Sequence, residues 1–519
     1  MTDLLHQLIE QTAKRSPGRI ALIHKTEQLT YQQLDQQMQA FAQQLLSLDL
    51  QSGDRVAVYL PKQFETVIAL FGAQQAGGVM VPVNPQLKPK QVSHILNDSQ
   101  ARVLVTSSTR YEQIKPEFAD GNSLTVILID KTVDNTEQWL QTTCETKLEP
   151  HRRISKDLAA LLYTSGSTGQ PKGVMLSHLN MVEGAKSVAH YLENSAEDRL
   201  LALLPLSFDY GLSQLTTAFL TGASVVLLDY LLPRDVIKAV VKYEITGLAA
   251  VPPVWIQLAD LDWPEEAQSI RYFTNSGGAM PPKVVETLQT KLPAAKPFLM
   301  YGLTEAFRSS YLEPNQVTKR PTSIGKAIPN AQLLVINADG ELCEANQPGE
   351  LVHRGVHVSM GYWQAPEKTA EKFRPLPELI CQQLGIDKDE IAVWSGDTVM
   401  QDEQGYLYFA GRQDEMIKSS GYRISPAEIE DELYHLAALR EIAAFGLEHP
   451  KLGQAVCLAI AGSGEKVELE QAVLQRCRAQ LPNFMMPQAI FWYDQLPKNP
   501  NGKLDRAGLS KTHAEHFNG

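Results

Sequence analysis

Residues 158–173 read Leu-Ala-Ala-Leu-Leu-Tyr-Thr-Ser-Gly-Ser-Thr-Gly-Gln-Pro-Lys-Gly, an apolar stretch running directly into hydroxyl-bearing and glycine residues closed by one lysine. Such a loop is suited to holding phosphate. Gly166, Gly169 and Gly173 let backbone approach an anion closely, Thr164, Ser165, Ser167 and Thr168 offer hydroxyl donors, and Lys172 adds a point charge. The spacing is not that of a Walker loop, because Pro171 stands where that motif needs glycine and Gly173 follows the lysine in place of Ser or Thr. Taken alone, the same composition also fits a flexible surface connection, so the rest of the chain has to decide.

Working outward, strand-like runs such as Arg55 to Leu60 and Ala101 to Val105 alternate with helix-period segments such as Tyr31 to Leu48 and Phe64 to Gln75. That rhythm predicts βα units and mostly parallel sheets, an α/β fold. The apolar runs near 200–206 and 223–232 are shorter than the roughly 20 residues of a bilayer span and read as buried strands. After Gly411 the rhythm changes. Ser425-Pro-Ala-Glu428 carries the signature of a capping box, a strand is expected over Glu441 to Leu447, and a helix over Val467 to Leu481. The chain therefore divides into a large N-terminal domain, 1–411, and a small mobile α+β domain, 412–519.

At 519 residues and 44% hydrophobic content the chain can bury two cores. Its net charge of −12 gives no footprint for nucleic acid or an anionic membrane. The five cysteines lie far apart with no C-x-x-C pair, which argues against a zinc site or a disulfide framework and fits a reducing cytoplasm. The N-terminal ten residues read as an amphipathic helix, not as a signal peptide.

Further runs appear in order: Asn275-Ser-Gly-Gly-Ala-Met280, Tyr301-Gly-Leu-Thr-Glu305, Trp394-Ser-Gly-Asp-Thr398, Gly411-Arg-Gln-Asp-Glu-Met-Ile-Lys418 and Pro500-Asn-Gly-Lys-Leu-Asp-Arg506. With the loop at 163–173 they resemble the motifs of the adenylate-forming (ANL) superfamily. That superfamily comprises AMP-forming acyl-CoA synthetases, amino-acid adenylation domains and luciferases. The resemblance implies two half-reactions: a carboxylate attacks the α-phosphorus of ATP and expels pyrophosphate, then a thiol attacks the acyl adenylate and expels AMP. It also implies roles. Residues 164–172 hold the β- and γ-phosphates, Thr304 touches the α-phosphate, and Glu305 helps hold Mg²⁺. Tyr301 stacks on adenine over Gly277, Gly278 and Ala279, while Asp397 and Arg412 bind the ribose and nucleotide. Asp414 is the hinge, and Lys503 bridges carboxylate and α-phosphate as the catalytic lysine. Ser420 and Gly421 line the passage for the thiol.

The acyl pocket departs from a plain fatty-acyl ligase. Leu206-Ser-Phe-Asp-Tyr-Gly211 carries Asp209 where amino-acid adenylation domains pair an aspartate with the substrate ammonium, and Asp209 and Tyr210 are read as pocket residues. The other reading of Asp209 is a cap for the following helix. Arg308 is expected either to meet a substrate carboxylate or to pair with Asp209. Overall the chain resembles most a free-standing bacterial acyl-CoA ligase, including ligases encoded with exosortase systems. The acceptor is then CoA or the phosphopantetheine of a carrier protein. A free-standing amino-acid adenylation enzyme that loads a carrier protein is the alternative; a luciferase-like oxygenase and a nucleotide-binding pseudoenzyme fit less of the sequence.

Overall fold

The computed structural model describes residues 2–118, 124–133, 136–139, 148–164, 171–412, 416–433, 436, 439–462, 465–497 and 504–517. Two sheets organise the large domain. In the first, strands at Arg55–Tyr59, Val79–Pro82, Ala101–Thr106 and Thr125–Leu128 run parallel beside Leu158–Thr164. Their central residues are buried on both faces, as Val56, Ala57 and Val58 show, which is why they read as continuous apolar runs without alternation. Lys172–Ser177 closes this sheet antiparallel to Leu158–Thr164, with Thr164 opposite Lys172, so the glycine-rich run is the connection of a β-hairpin. Helix α1, Pro89–Asp98, packs Val92, Ile95 and Leu96 inward.

The second sheet has a parallel half, which includes Arg199–Ala202, Gly247–Ala250, Tyr272–Asn275 and Lys296–Tyr301. It continues into an antiparallel half that the sequence reading of mostly parallel sheets did not foresee: Ser310–Leu312, Ser323–Ala327, Leu407–Arg412, Ile391–Gln401, Gly349–Gly355 and Ala331–Ile336. Helix α2, Asp209–Thr221, begins just after the apolar run 200–206 at the carboxyl end of Arg199–Ala202, the usual place for a site in a parallel sheet. Of the run 223–232 only Ser224–Leu227 is strand, and Leu231 is fully out in solvent.

The small domain has its own core, built from Ile424, Ile429, Leu433, Ile442, Val456, Leu458 and Val473. It comprises the hairpin Leu439–His449 with Gly453–Gly462, the helix Lys466–Gln480 and helix α3, Pro426–Leu433. The capping box expected at Ser425 takes a different form. Pro426 does open the helix, but Ser425 Oγ has no hydrogen-bond partner among the described residues, and Glu428 is taken by Gln91 of the large domain. Among the described residues no helix is long and apolar enough to cross a membrane.

Candidate active site

A cavity of about 810 Å³ opens between the two domains. The large domain contributes Thr164, Leu206 to Asp209, Gly277, and Tyr301 to Glu305 with Arg308; the small domain contributes Ser420, Gly421, Tyr422 and Arg423. Ser165, Gly166, Ser167, Thr168, Gly169, Asp414 and Lys503 lie outside the described residues.

Thr304 and Glu305 sit buried on a short 3-10 turn after Lys296–Tyr301. Burial alone would raise the Glu305 carboxyl. The Arg423 guanidinium and the Tyr362 hydroxyl, which donates to Glu305 Oε1 at 2.7 Å, hold it below the usual range, so it stays ionised. Lys172 lies with Nζ 5.4 Å from the Tyr362 ring; burial, then the Lys368 charge, lowers its pKa. Thr164 and Glu305 line the cavity, while Lys172 and Tyr362 stand beside Glu305 without lining it.

The Tyr301 hydroxyl donates to Asp397 Oδ2 at 2.5 Å, and Asp397 pairs through its backbone with Arg412 in the neighbouring strand. Tyr301 and Asp397, 96 positions apart, therefore meet in one corner beside the strand of Arg412. Gly277 reaches the cavity with φ +82°. Gly278 and Ala279 do not line it: Gly278 lies over Pro252, and Ala279 is exposed.

Asp209 is the first residue of α2 and Phe208 holds the cap position, so Asp209 is not an N-cap, although backbone amides at 209 and 210 do support its carboxylate. Its carboxyl is pushed up by burial, an effect partly offset by the Arg308 charge. Arg308 is 2% exposed, its Nε has no hydrogen-bond partner among the described residues, and its guanidinium stacks 4.7 Å over Tyr210. Among the described residues no ion pair joins it to Asp209. Tyr210 does not line the cavity as expected; its hydroxyl is bonded to Thr274 at 2.5 Å and its ring floors Arg308.

Arg308 is aimed by local strain. Phe307 has φ 55° and ψ −56°, with Arg308 N donating to Ala306 O at 2.5 Å, a tight γ-turn of the unfavourable hand. The Phe307 ring holds that turn against Gly184, where any Cβ would lie 2.3 Å from Phe307 Cδ1. Neither Gly184 nor Tyr362 nor Arg423 carried a sequence signal; each is defined only by its contact.

From the small domain, Ser420 and Gly421, with φ 52° and 82°, form the turn between Ile417–Ser419 and Tyr422–Ile424. A Cβ on Gly421 would stand 2.8 Å from both Val251 methyls, so the turn enters the site in van der Waals contact with the large domain.

A cavity that sets Thr164, a buried ionised glutamate and a tyrosine bonded to an aspartate under a second domain has the donors and charges to hold a nucleotide. The family model of the AMP-binding enzyme matches residues 9–363, and that of the AMP-binding enzyme C-terminal domain matches residues 428–503. The chain belongs to the AMP-binding enzyme family. Tyrocidine synthase 1 of Brevibacillus parabrevis is 29% identical over 97% of this chain, which corresponds to 44% of that protein. The chain thus spans less than half the length of the peptide-synthetase relatives it matches, and only 8% of bacitracin synthase 3 of Bacillus licheniformis. The long-chain-fatty-acid–CoA ligase of Escherichia coli O157:H7 is 28% identical over 97% of this chain and 94% of its own. Among solved structures, VinN with L-aspartate is 30% identical over 79% of this chain and 98% of its own, TM-score 0.67. The o-succinylbenzoate CoA synthetase of Bacillus subtilis is 27% identical over 97% of both chains. It matches with TM-score 0.81 as a double mutant holding its product analogue OSB-NCoA, but 0.67 in complex with the acyl adenylate. As a whole the chain matches that relative's product-analogue form better than its acyl-adenylate form.

Proposed function

We propose that the chain activates a carboxylic acid that carries both an ammonium and a second carboxylate. It forms the acyl adenylate from ATP with release of pyrophosphate, then passes the acyl group to a thiol of CoA or of a carrier protein with release of AMP. The observation that carries the choice of acid is the pair Asp209 and Arg308, two buried and oppositely charged side chains in one cavity with no ion pair between them. A buried charge is costly unless a partner meets it. An amino dicarboxylic acid offers an ammonium to Asp209 and a carboxylate to Arg308, leaving its other carboxyl to react. The likeness to a protein solved with L-aspartate supports this reading.

In the first half-reaction both reacting groups are anionic, so neutralisation and alignment supply most of the acceleration. Lys172 and the hydroxyls from Thr164 onward bind the leaving phosphates, Thr304 orients the α-phosphate, Lys503 bridges it to the carboxylate, and Asp397 with Tyr301 fixes the nucleoside. Among the described residues no three His, Cys, Asp or Glu side chains gather into a metal cage. A divalent ion beside Glu305 would therefore complete its shell with phosphate oxygens and water, the habit of Mg²⁺. Magnesium there supplies charge neutralisation. In the second half-reaction Gly421 leaves the thiol room to pass. The four described cysteines are free, in keeping with a cytoplasmic setting.

ATP–pyrophosphate exchange across aspartate, its deamino analogue succinate, alanine and a fatty acid tests the reading. Aspartate-type acids are expected to exchange fastest, with Asp209→Asn and Arg308→Leu each lowering that rate at least about tenfold. Fastest exchange with the fatty acid, unchanged in both variants, refutes it.

A further inference from the structure

The strand Ile391–Gln401 does not run in even register past its neighbour Gly349–Gly355. Glu350 lies opposite Thr398 and Val352 opposite Trp394, so Ser395, Gly396 and Asp397 stand together against Leu351 in a bulge. Gly396 turns the chain there with φ +74°, a conformation open to glycine and costly for other residues. The peptide unit that joins Ser395 to Gly396 is held at both its polar groups. Lys372 Nζ, at the end of the helix Pro366–Lys372, donates to Ser395 O at 2.8 Å, and Gly396 N donates to Glu350 Oε1 at 2.9 Å. Both bonds are of the stronger, charge-assisted kind, one from a cation and one to an anion. Ser395 completes the bulge, its Oγ donating to Leu351 O at 2.6 Å and accepting Asp397 N at 3.0 Å. Asp397 follows directly, 1% exposed, and its carboxylate takes the Tyr301 hydroxyl. Tyr301 lines the cavity; Lys372 and Glu350 do not.

We propose that Lys372 and Glu350 are positioning residues for the nucleoside, a pair that clamps the Ser395–Gly396 peptide and so fixes the direction in which the bulge presents the Asp397 carboxylate. A bulged residue is left out of the regular strand ladder, and glycine gives its peptide more freedom than any other residue would. Rotation of that peptide plane is the easiest way for Asp397 to swing off its target. A donor on the carbonyl and an acceptor on the amide close that route, and the two roles cannot be exchanged between the side chains. Aim matters here because a carboxylate that serves a ribose must meet its hydroxyls at hydrogen-bonding angles, which weaken steeply when bent. The inference rests on the reading of Asp397 as the ribose-binding carboxylate.

The test is calorimetric titration of the full chain with AMP and with 2′-deoxy-AMP, which requires no acid substrate. The wild-type chain is expected to bind AMP at least about tenfold more tightly than the deoxynucleotide, and Asp397→Asn to lose most of that preference. Glu350→Leu and Lys372→Met are each expected to lower the preference at least about threefold. Glu350→Gln, which keeps an acceptor for Gly396 N, and Lys372→Arg, which keeps a donor for Ser395 O, are expected to retain it. The Lys372 charge also helps keep Glu305 ionised, but its loss there shifts both nucleotides alike and leaves their ratio unchanged. A merely structural pair would likewise weaken both nucleotides equally. Equal weakening, or an unchanged ratio in Glu350→Leu and Lys372→Met, overturns the clamp. A wild-type chain that binds both nucleotides equally overturns the reading of Asp397 and the clamp with it, whereas one that binds neither overturns the proposed function itself.

Discussion

Gly421→Ala should separate the two half-reactions, and the structure gives the size of the effect. Gly421 has φ +82°, where an L side chain costs about 1–2 kcal/mol. That cost belongs to the hairpin turn and is the same wherever the small domain sits, so it lowers stability without choosing between arrangements. The contact is different. The added methyl would stand 2.8 Å from Val251 Cγ1 and Cγ2 and 3.0 Å from its Cβ, well inside van der Waals distance, and only while the small domain is docked. Val251 is buried and caps the helix Pro252–Ala259, so it cannot swing aside. Overpacking of this kind costs about 1–3 kcal/mol, which lowers the docked population about 5- to 150-fold. Thioester formation from supplied acyl adenylate, followed in single turnover, should fall by that factor, while ATP–pyrophosphate exchange stays within about twofold. Val251→Ala in the Gly421→Ala background should recover most of the loss. An equal fall in both half-reactions, or no recovery with Val251→Ala, would refute the argument.

Glu428 should make docking pH-dependent. Burial, opposed by the Gln91 hydrogen bond and reinforced by the Glu432 charge, lifts its pKa to about 7; Lys90 and Arg476 face it only through Glu432. Undocked, the carboxyl returns toward its ordinary value and binds fewer protons. Docking is therefore favoured as pH falls toward and below 7 and loses that contribution as pH rises through 7. Thioester rates from supplied adenylate should show this slope between pH 8 and 6, and Glu428→Gln should flatten it. Gly184→Ala should drive the Phe307 ring away and misaim Arg308, costing about 1–3 kcal/mol; it should raise the KM for the acid in exchange assays with little change in the KM for ATP. Lys503→Ala should cut adenylation about a hundred- to a thousandfold and leave thioester formation from supplied adenylate nearly intact, an assignment that equal losses would sink.

What the sequence disclosed is what local chemistry dictates. The βα rhythm is legible because strands buried on both faces read as continuous apolar runs, and the glycines and hydroxyls from 164 onward mark the end of one such strand. The exceptions share one cause, which is that a side chain's partner is set by tertiary geometry. Glu428 satisfies the local rule for a capping box, yet its carboxyl is drawn to Gln91, 337 positions away, because docking offers a donor that Ser425 N would otherwise supply. Tyr210 looks like a pocket residue from its neighbours, but the helix turn that buries Asp209 rotates it to Thr274, 64 positions on. Arg308 reads as an oddity until the γ-turn at Phe307 and the missing side chain of Gly184 show that the fold spends strain to point it inward. Strain kept at one arginine, beside a buried aspartate that it does not bond, is hard to explain by stability alone. It is the cost expected where a charged ligand completes the pair.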